Sequence, residues 1–193
     1  MSFTIEKNRH IFACWAASRA AGVSPLCKFK VENGKGVLDR IFGQDGQKAL
    51  DDALQKNQKD FDDYHHNIIK LVMKESKKKE HSIKSKKNSK DKNFTYGMTY
   101  GVAAKLINIY FKVMFICGNY KNKKGINYIH PPIDSLLLDS LHKQKIGKDI
   151  NLWRKFKWSK MKSKDYKRVI DGIKNLNLSK GLWSVEEHWI GHQ

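Results

Sequence analysis

Residues 77–92, KKKEHSIKSKKNSKDK, hold eight lysines and a single apolar side chain, Ile83. Burying such a stretch would strand charges without partners, so no core is expected to run through it. It reads as a mobile basic loop within the chain, and whatever packs must lie on either side. On both sides apolar residues recur at helical spacing. Before the loop, Thr4 predicts an N-cap for a helix over about residues 5–21, whose centre, IFACWAASRAA, is small and apolar on most sides. A helix of that kind is expected to be buried. Gly22 and Pro25 should end it. A short helix through GVLDRIFG should stop at Gly43, Leu50, Ala53 and Leu54 mark another over 47–56, and Phe61, Tyr64, Ile68, Leu71 and Val72 continue the pattern to about Glu75. Phe29 and Val31 alternating with Lys28 and Lys30 make the only stretch with strand periodicity.

Beyond the loop, Ala103, Leu106, Ile107, Tyr110 and Met114 share one helical stripe, and Lys105, Asn108 and Lys112 share another, with Gly118 closing the helix. Asp134 follows His-Pro-Pro-Ile and predicts the N-cap of a short helix, SLLLDSL. Ser163 predicts the cap of a helix with Tyr166, Val169, Ile170 and Ile173 inward. Ser184 and Glu187 have capping-box spacing for a last turn closed by Gly191. The expectation is an all-α fold, a compact helical domain spanning 1–193, with room for two helical halves flanking a DNA-binding cleft.

With 40% apolar and 30% charged residues, composition fits neither a disordered chain nor a membrane protein, and no run nears the roughly 18 apolar residues of a membrane span. The start, MSFTIEKNRHIF, lacks the basic, apolar and small-residue segments of a secretory signal. Cys14, Cys27 and Cys117 stand far apart without CxxC spacing, which argues against Cys-rich metal sites and a disulfide framework. A cytoplasmic monomer without cofactor or membrane partner is expected. His188 and His192 have ligand spacing on a helix, but Gly191 should end that helix and no third ligand is adjacent, so no metal is expected.

Charge is unevenly divided. Residues 1–66 carry ten Lys/Arg against nine Asp/Glu, whereas 67–193 carry 28 against 10, a local excess of +18 within the formal +19. Lysine richness from AT-rich coding would raise the total without explaining the asymmetry. A surface this basic attracts a polyanion, and nucleic acid is the expected partner.

The order of residues 94–141 carries a resemblance: a glycine-punctuated turn, FTYGMTYG, a helix beginning V-A-A-K-L, a basic loop, and a short helix opened by P-x-D. This is similar to the catalytic segment of the helix-hairpin-helix DNA glycosylase superfamily, especially its archaeal 8-oxoguanine glycosylase branch. FTYGMTYG stands where that family has an L-P-G-(hydrophobic)-G hairpin, and RHIFACWAASRAAG matches no glycosylase motif. The resemblance implies duplex DNA with a flipped nucleotide as substrate and excision of an oxidised purine or a hypermodified phage base. It casts Asp134 as the carboxylate that stabilises the sugar cation and Lys105 as the nucleophile, with water attack as the alternative.

Beside that pair, Trp15 and Trp189 are candidates to stack on a base, as is Trp183. His10, Arg19 and Asn108 are candidates to contact the base, as is Glu187. The amides of Gly97 and Gly101 and the side chains of Lys155, Lys157, Ser159 and Lys160, around Trp158, are candidates to grip DNA phosphates. A non-enzymatic DNA- or RNA-binding protein is the main competing expectation, and a small helical ribonuclease or toxin a further one.

Overall fold

The computed structural model describes residues 4–24, 26–46, 53, 57–86, 94–118, 120 and 123–190. It is mostly helical. Among the described residues α1 spans Ile5–Gly22, α2 Val31–Phe42, α3 Gln58–Glu75, α4 Tyr100–Phe111, α5 Ser135–Lys143, α6 Leu152–Lys155 and α7 Ser163–Lys174. No helix among them is long and apolar enough to cross a membrane.

Several helix ends follow the capping chemistry, but α7 does not: its N-cap is Lys162, and Ser163, expected to cap it, is its first residue. Thr4 Oγ1 accepts the Lys7 amide at 3.2 Å and opens α1, and Gly43, at φ 80°, ends α2. The Asn57 side chain opens α3 by accepting the Asp60 amide at 3.0 Å. Asp134 Oδ1 accepts the Leu137 amide at 3.0 Å and caps α5.

The Ala13, Cys14, Ala17, Ser18 and Ala21 face of α1 is buried. Such small side chains let its backbone come close to α4 and α2, the two helices it packs on most extensively. In α4 every residue except Ile109 is buried, the polar Lys105 and Asn108 included. Its last turn runs on into a π-helical stretch, Lys112–Ile116. The buried apolar side chains form one cluster that reaches from Ala13 to Val185, so the helical parts before and after the lysine-rich segment share a single core.

Three corrections follow. First, residues 77–86 are not a loop outside the core. They form a 3-10 turn, Lys79–His81, and a strand. Ile83 and His81 are buried, and the Ile83 carbonyl accepts the Gly97 amide at 2.9 Å. One isoleucine and one histidine anchor the segment while Lys77, Lys78, Lys79 and Lys84 stay outside. Residues 87–92 lie outside the described residues, as do most of 47–56.

Second, the described residues include four short strands: β1 Val23–Ser24, β2 Cys27–Lys28, β3 Lys84–Lys86 and β4 Phe94–Tyr96. They pair antiparallel in chain order, with Cys27 opposite Ser85 and Lys84 opposite Tyr96. Third, the S-x-x-E pattern at Ser184 is not a capping box. Residues Leu182–His188 form a 3-10 helix, and Ser184 Oγ donates to the Gly181 carbonyl at 2.8 Å.

Candidate active site

Lys105 and Asp134, 29 residues apart, meet inside the protein. Lys105 sits on the second turn of α4 and Asp134 at the mouth of α5, and Lys105 Nζ donates to Asp134 Oδ2 at 3.1 Å. Both side chains are more than nine-tenths buried. The other carboxylate oxygen is held by the first turn of α5, so the group has one fixed orientation. The Trp158 ring lies 4.6 Å from Lys105 Nζ, close enough for a cation–π contact that covers the amine on a second side. Removing two charges from water costs several kcal/mol per ion before their attraction offsets it. A buried pair of this kind is weak evidence for stability, and its fixed geometry away from water is what makes it a candidate for chemistry.

The polar stripe on α4 faces the interior. Lys112, two turns beyond Lys105, pairs with Glu186 and not with the Lys105 site. Burial pushes the Glu186 carboxyl up, Lys112 opposes that, and the charge of nearby Asp134 adds to it. Asn108 has its polar atoms fully engaged. Its Nδ2 donates to the Pro131 carbonyl at 2.7 Å and to Tyr166 OH at 3.0 Å, and its Oδ1 accepts from His65 Nε2 at 2.7 Å. Asn108 is therefore a brace beside the Lys105–Asp134 pair and has no polar atom left for a base.

The same hydrogen bonds continue into a chain that the sequence reading did not anticipate. Tyr166 OH donates to His130 Nδ1, and His130 Nε2 donates to Asp62 Oδ1, each at 3.0 Å, while Lys174 holds the second Asp62 oxygen. Burial pushes both His65 and His130 below the ordinary imidazole range, so both stay neutral near pH 7. His65, His130 and Tyr166 line a cleft of about 330 Å³ together with His66, Tyr100 and Ser163. The available signal was His65 itself, placed in phase with Phe61, Ile69 and Val72 on the inward stripe of α3.

The remaining candidates are scattered. His10 is buried with both ring nitrogens engaged, Nδ1 accepting from Tyr110 OH and Nε2 donating to Asp39 Oδ1, each at 2.8 Å, so it cannot read a base edge. Trp15 is half exposed and stacked on Phe12 at 5.8 Å, and Arg19 is exposed. Trp189 is partly buried against the core, Trp183 is partly buried and Glu187 is exposed. The Gly97 amide is spent on the Ile83 carbonyl. Gly101 lies under the Trp158 carbonyl so closely that an added Cβ would sit 1.8 Å from that oxygen, which closes its backbone to a phosphate. Ser159 is buried, and its carbonyl accepts from Thr99 Oγ1 at 2.7 Å. Lys155, Lys157 and Lys160 are exposed.

Among the described residues two groups bring metal-capable atoms within 4.8 Å of one another: His10, Cys14 and Asp39, and Glu75, Glu80 and His81. In the first, His10 and Asp39 bond to each other, Lys35 sits on the second Asp39 oxygen, and burial pushes the Cys14 thiol up to about 12, far from the thiolate a metal needs. In the second, Glu75 is held by Lys78 and His81. His192 lies outside the described residues. No protein-family model, curated protein or solved structure matches this chain.

Proposed function

We propose that the chain is a DNA glycosylase that works through Lys105 and Asp134. The observation that carries this reading is their 3.1 Å contact in a buried setting, between residues that the sequence separates by 29 positions. In this reading a nucleotide flipped from duplex DNA presents its sugar to the pair. The glycosidic bond breaks and the base leaves with the bonding electrons. Asp134 stabilises the positive charge that develops on the sugar. Lys105 gives up a proton, for which Asp134 Oδ2 is within reach, and its nitrogen bonds to the anomeric carbon. The bond from the anomeric carbon to the ring oxygen then breaks, the proton held by Asp134 passes to that oxygen, and the resulting Schiff base is hydrolysed by water. The exposed Lys155, Lys157 and Lys160 supply backbone contacts.

The test is release of free base from a panel of modified duplexes, covering oxidised purines, uracil, alkylated bases and hypermodified phage cytosines. Asp134→Asn keeps a cap-forming oxygen and removes the charge, so release, measured well below the variant's own lowered melting temperature, should fall about 100-fold. Borohydride should trap wild type on DNA and leave Lys105→Gln untrapped. Base release that survives in Lys105→Gln but not in Asp134→Asn would make water the nucleophile. Full activity in both variants, or silence across the panel, would overturn the glycosylase reading.

A further inference from the structure

Between the end of α1, the β1–β2 hairpin and the start of α2 lies a cleft of about 1030 Å³. Apart from Ser82 its lining comes from the first 66 residues, where net charge is close to zero, yet that lining places Arg19, Lys28 and Lys30 against a single carboxylate, Glu32. That carboxylate is mostly exposed and stands 3.8 Å from Lys30 Nζ.

The first turn of α2 forms one wall. A helix start exposes amides that need acceptors, and Ser, Thr, Asp or Asn at the N-cap normally supplies one. Here the N-cap is Lys30, whose ammonium only donates. Asn33 Oδ1 accepts the Lys30 amide at 3.0 Å, and the Lys30 carbonyl takes the amides of Asn33 and Gly34. The amides of Val31 and Glu32 find no acceptor among the described residues. α2 has twelve residues, enough to present a full N-terminal dipole.

A second observation lies in the same lining. Ser18 is 1% exposed, and its Oγ has no hydrogen-bond partner among the described residues. It is a donor left unmatched beside a helix start that also lacks an acceptor. Gly34 makes that placement feasible, because a Cβ there would lie 2.2 Å from Ser18 Oγ.

We propose that this cleft binds a phosphate group of the nucleic-acid backbone, held by the Val31 and Glu32 amides, Ser18 Oγ and the Arg19, Lys28 and Lys30 cations. An anion with several acceptor oxygens satisfies every group that the fold leaves open there. The assignment does not depend on the Lys105–Asp134 chemistry, and its readouts are binding measurements that base release does not enter.

The test titrates inorganic phosphate into the isotope-labelled full chain, with sodium chloride at matched ionic strength as reference, and follows the Val31 and Glu32 amide resonances. Phosphate should shift them saturably and chloride should not. Ser18→Ala should weaken the phosphate response. Lys30→Asp should abolish it while melting no lower than wild type, since aspartate is a good N-cap and occupies the anion's position. Equal responses to phosphate and chloride, or undiminished phosphate binding in Lys30→Asp, would overturn the site. A second arm identifies the source of the phosphate. On duplex DNA, Arg19→Gln and Lys30→Gln should each flatten the slope of log K against log salt by about 0.9. Unchanged slopes beside intact phosphate binding would overturn the backbone assignment in favour of a free phosphate or a phosphorylated small molecule.

Discussion

Two buried residues, Lys105 and Asp134, make opposite demands on stability and on chemistry. Each neutralises the other where water cannot. Replacing one alone leaves a buried charge unpaired, so Lys105→Met should lower unfolding free energy by about 3–5 kcal/mol. Lys105→Met combined with Asp134→Asn should recover much of that loss, because no bare charge remains, and urea melts of the two variants check it. His65 and His130 make a second residue-scale case. Burial keeps both neutral in the fold, whereas in the unfolded chain they take up protons below about pH 6.5. The unfolded state therefore binds more protons as pH falls, and stability contributed by these imidazoles is complete above that value and lost below it. Denaturation at pH 7.5 and 5.5 should show a positive slope of up to about 1.4 kcal/mol per pH unit for each histidine. A variant lacking the His65 imidazole should show a shallower slope.

Most helix boundaries were legible because caps and stop glycines act locally. Thr4, Asp134 and Gly43 do in the structure what their side chains or lack of one dictate. Strands of two and three residues escaped notice because their order comes from distant partners. Lys84 pairs with Lys28 on one side and Tyr96 on the other, a relation that no local window contains. At the candidate site the Lys105–Asp134 pair was readable from a family-like order of motifs. The hydrogen-bond chain through Asp62, His130, Tyr166, Asn108 and His65 was not, since it joins four separate parts of the chain. Two element-scale outcomes follow. Removing 77–86 would take away Ile83 and His81 with β3 and should destabilise the protein, as a thermal melt would register. Gly34→Ala would drive a methyl into Ser18 Oγ and to 2.9 Å from the Phe29 ring, costing about 1–3 kcal/mol by overpacking.

For the molecule as a whole, a formal charge of +19 means self-repulsion. Without a polyanion, monovalent salt should raise the melting temperature by screening it, while duplex DNA at low salt should raise it further by binding the folded state. A melting temperature that ignores salt would show that the charges are already balanced by local pairs. In the DNA-bound state, neutralising Lys155, Lys157 or Lys160 should each flatten the salt slope by about 0.9.

The enclosure of α4 has a different consequence. It packs against α1, α3, α7 and the Trp158–Lys160 turn. The π-helical stretch carries it on beyond Phe111, and these neighbours cover its faces. Its amide protons should therefore exchange with solvent deuterium only when the entire domain opens. Lys105 rides on that helix, so the slowest-exchanging amides in the protein should surround the amine proposed to meet DNA. If the amine is to meet DNA, the side chain to move is Trp158, whose ring lies 4.6 Å from it, and not the helix that holds Lys105.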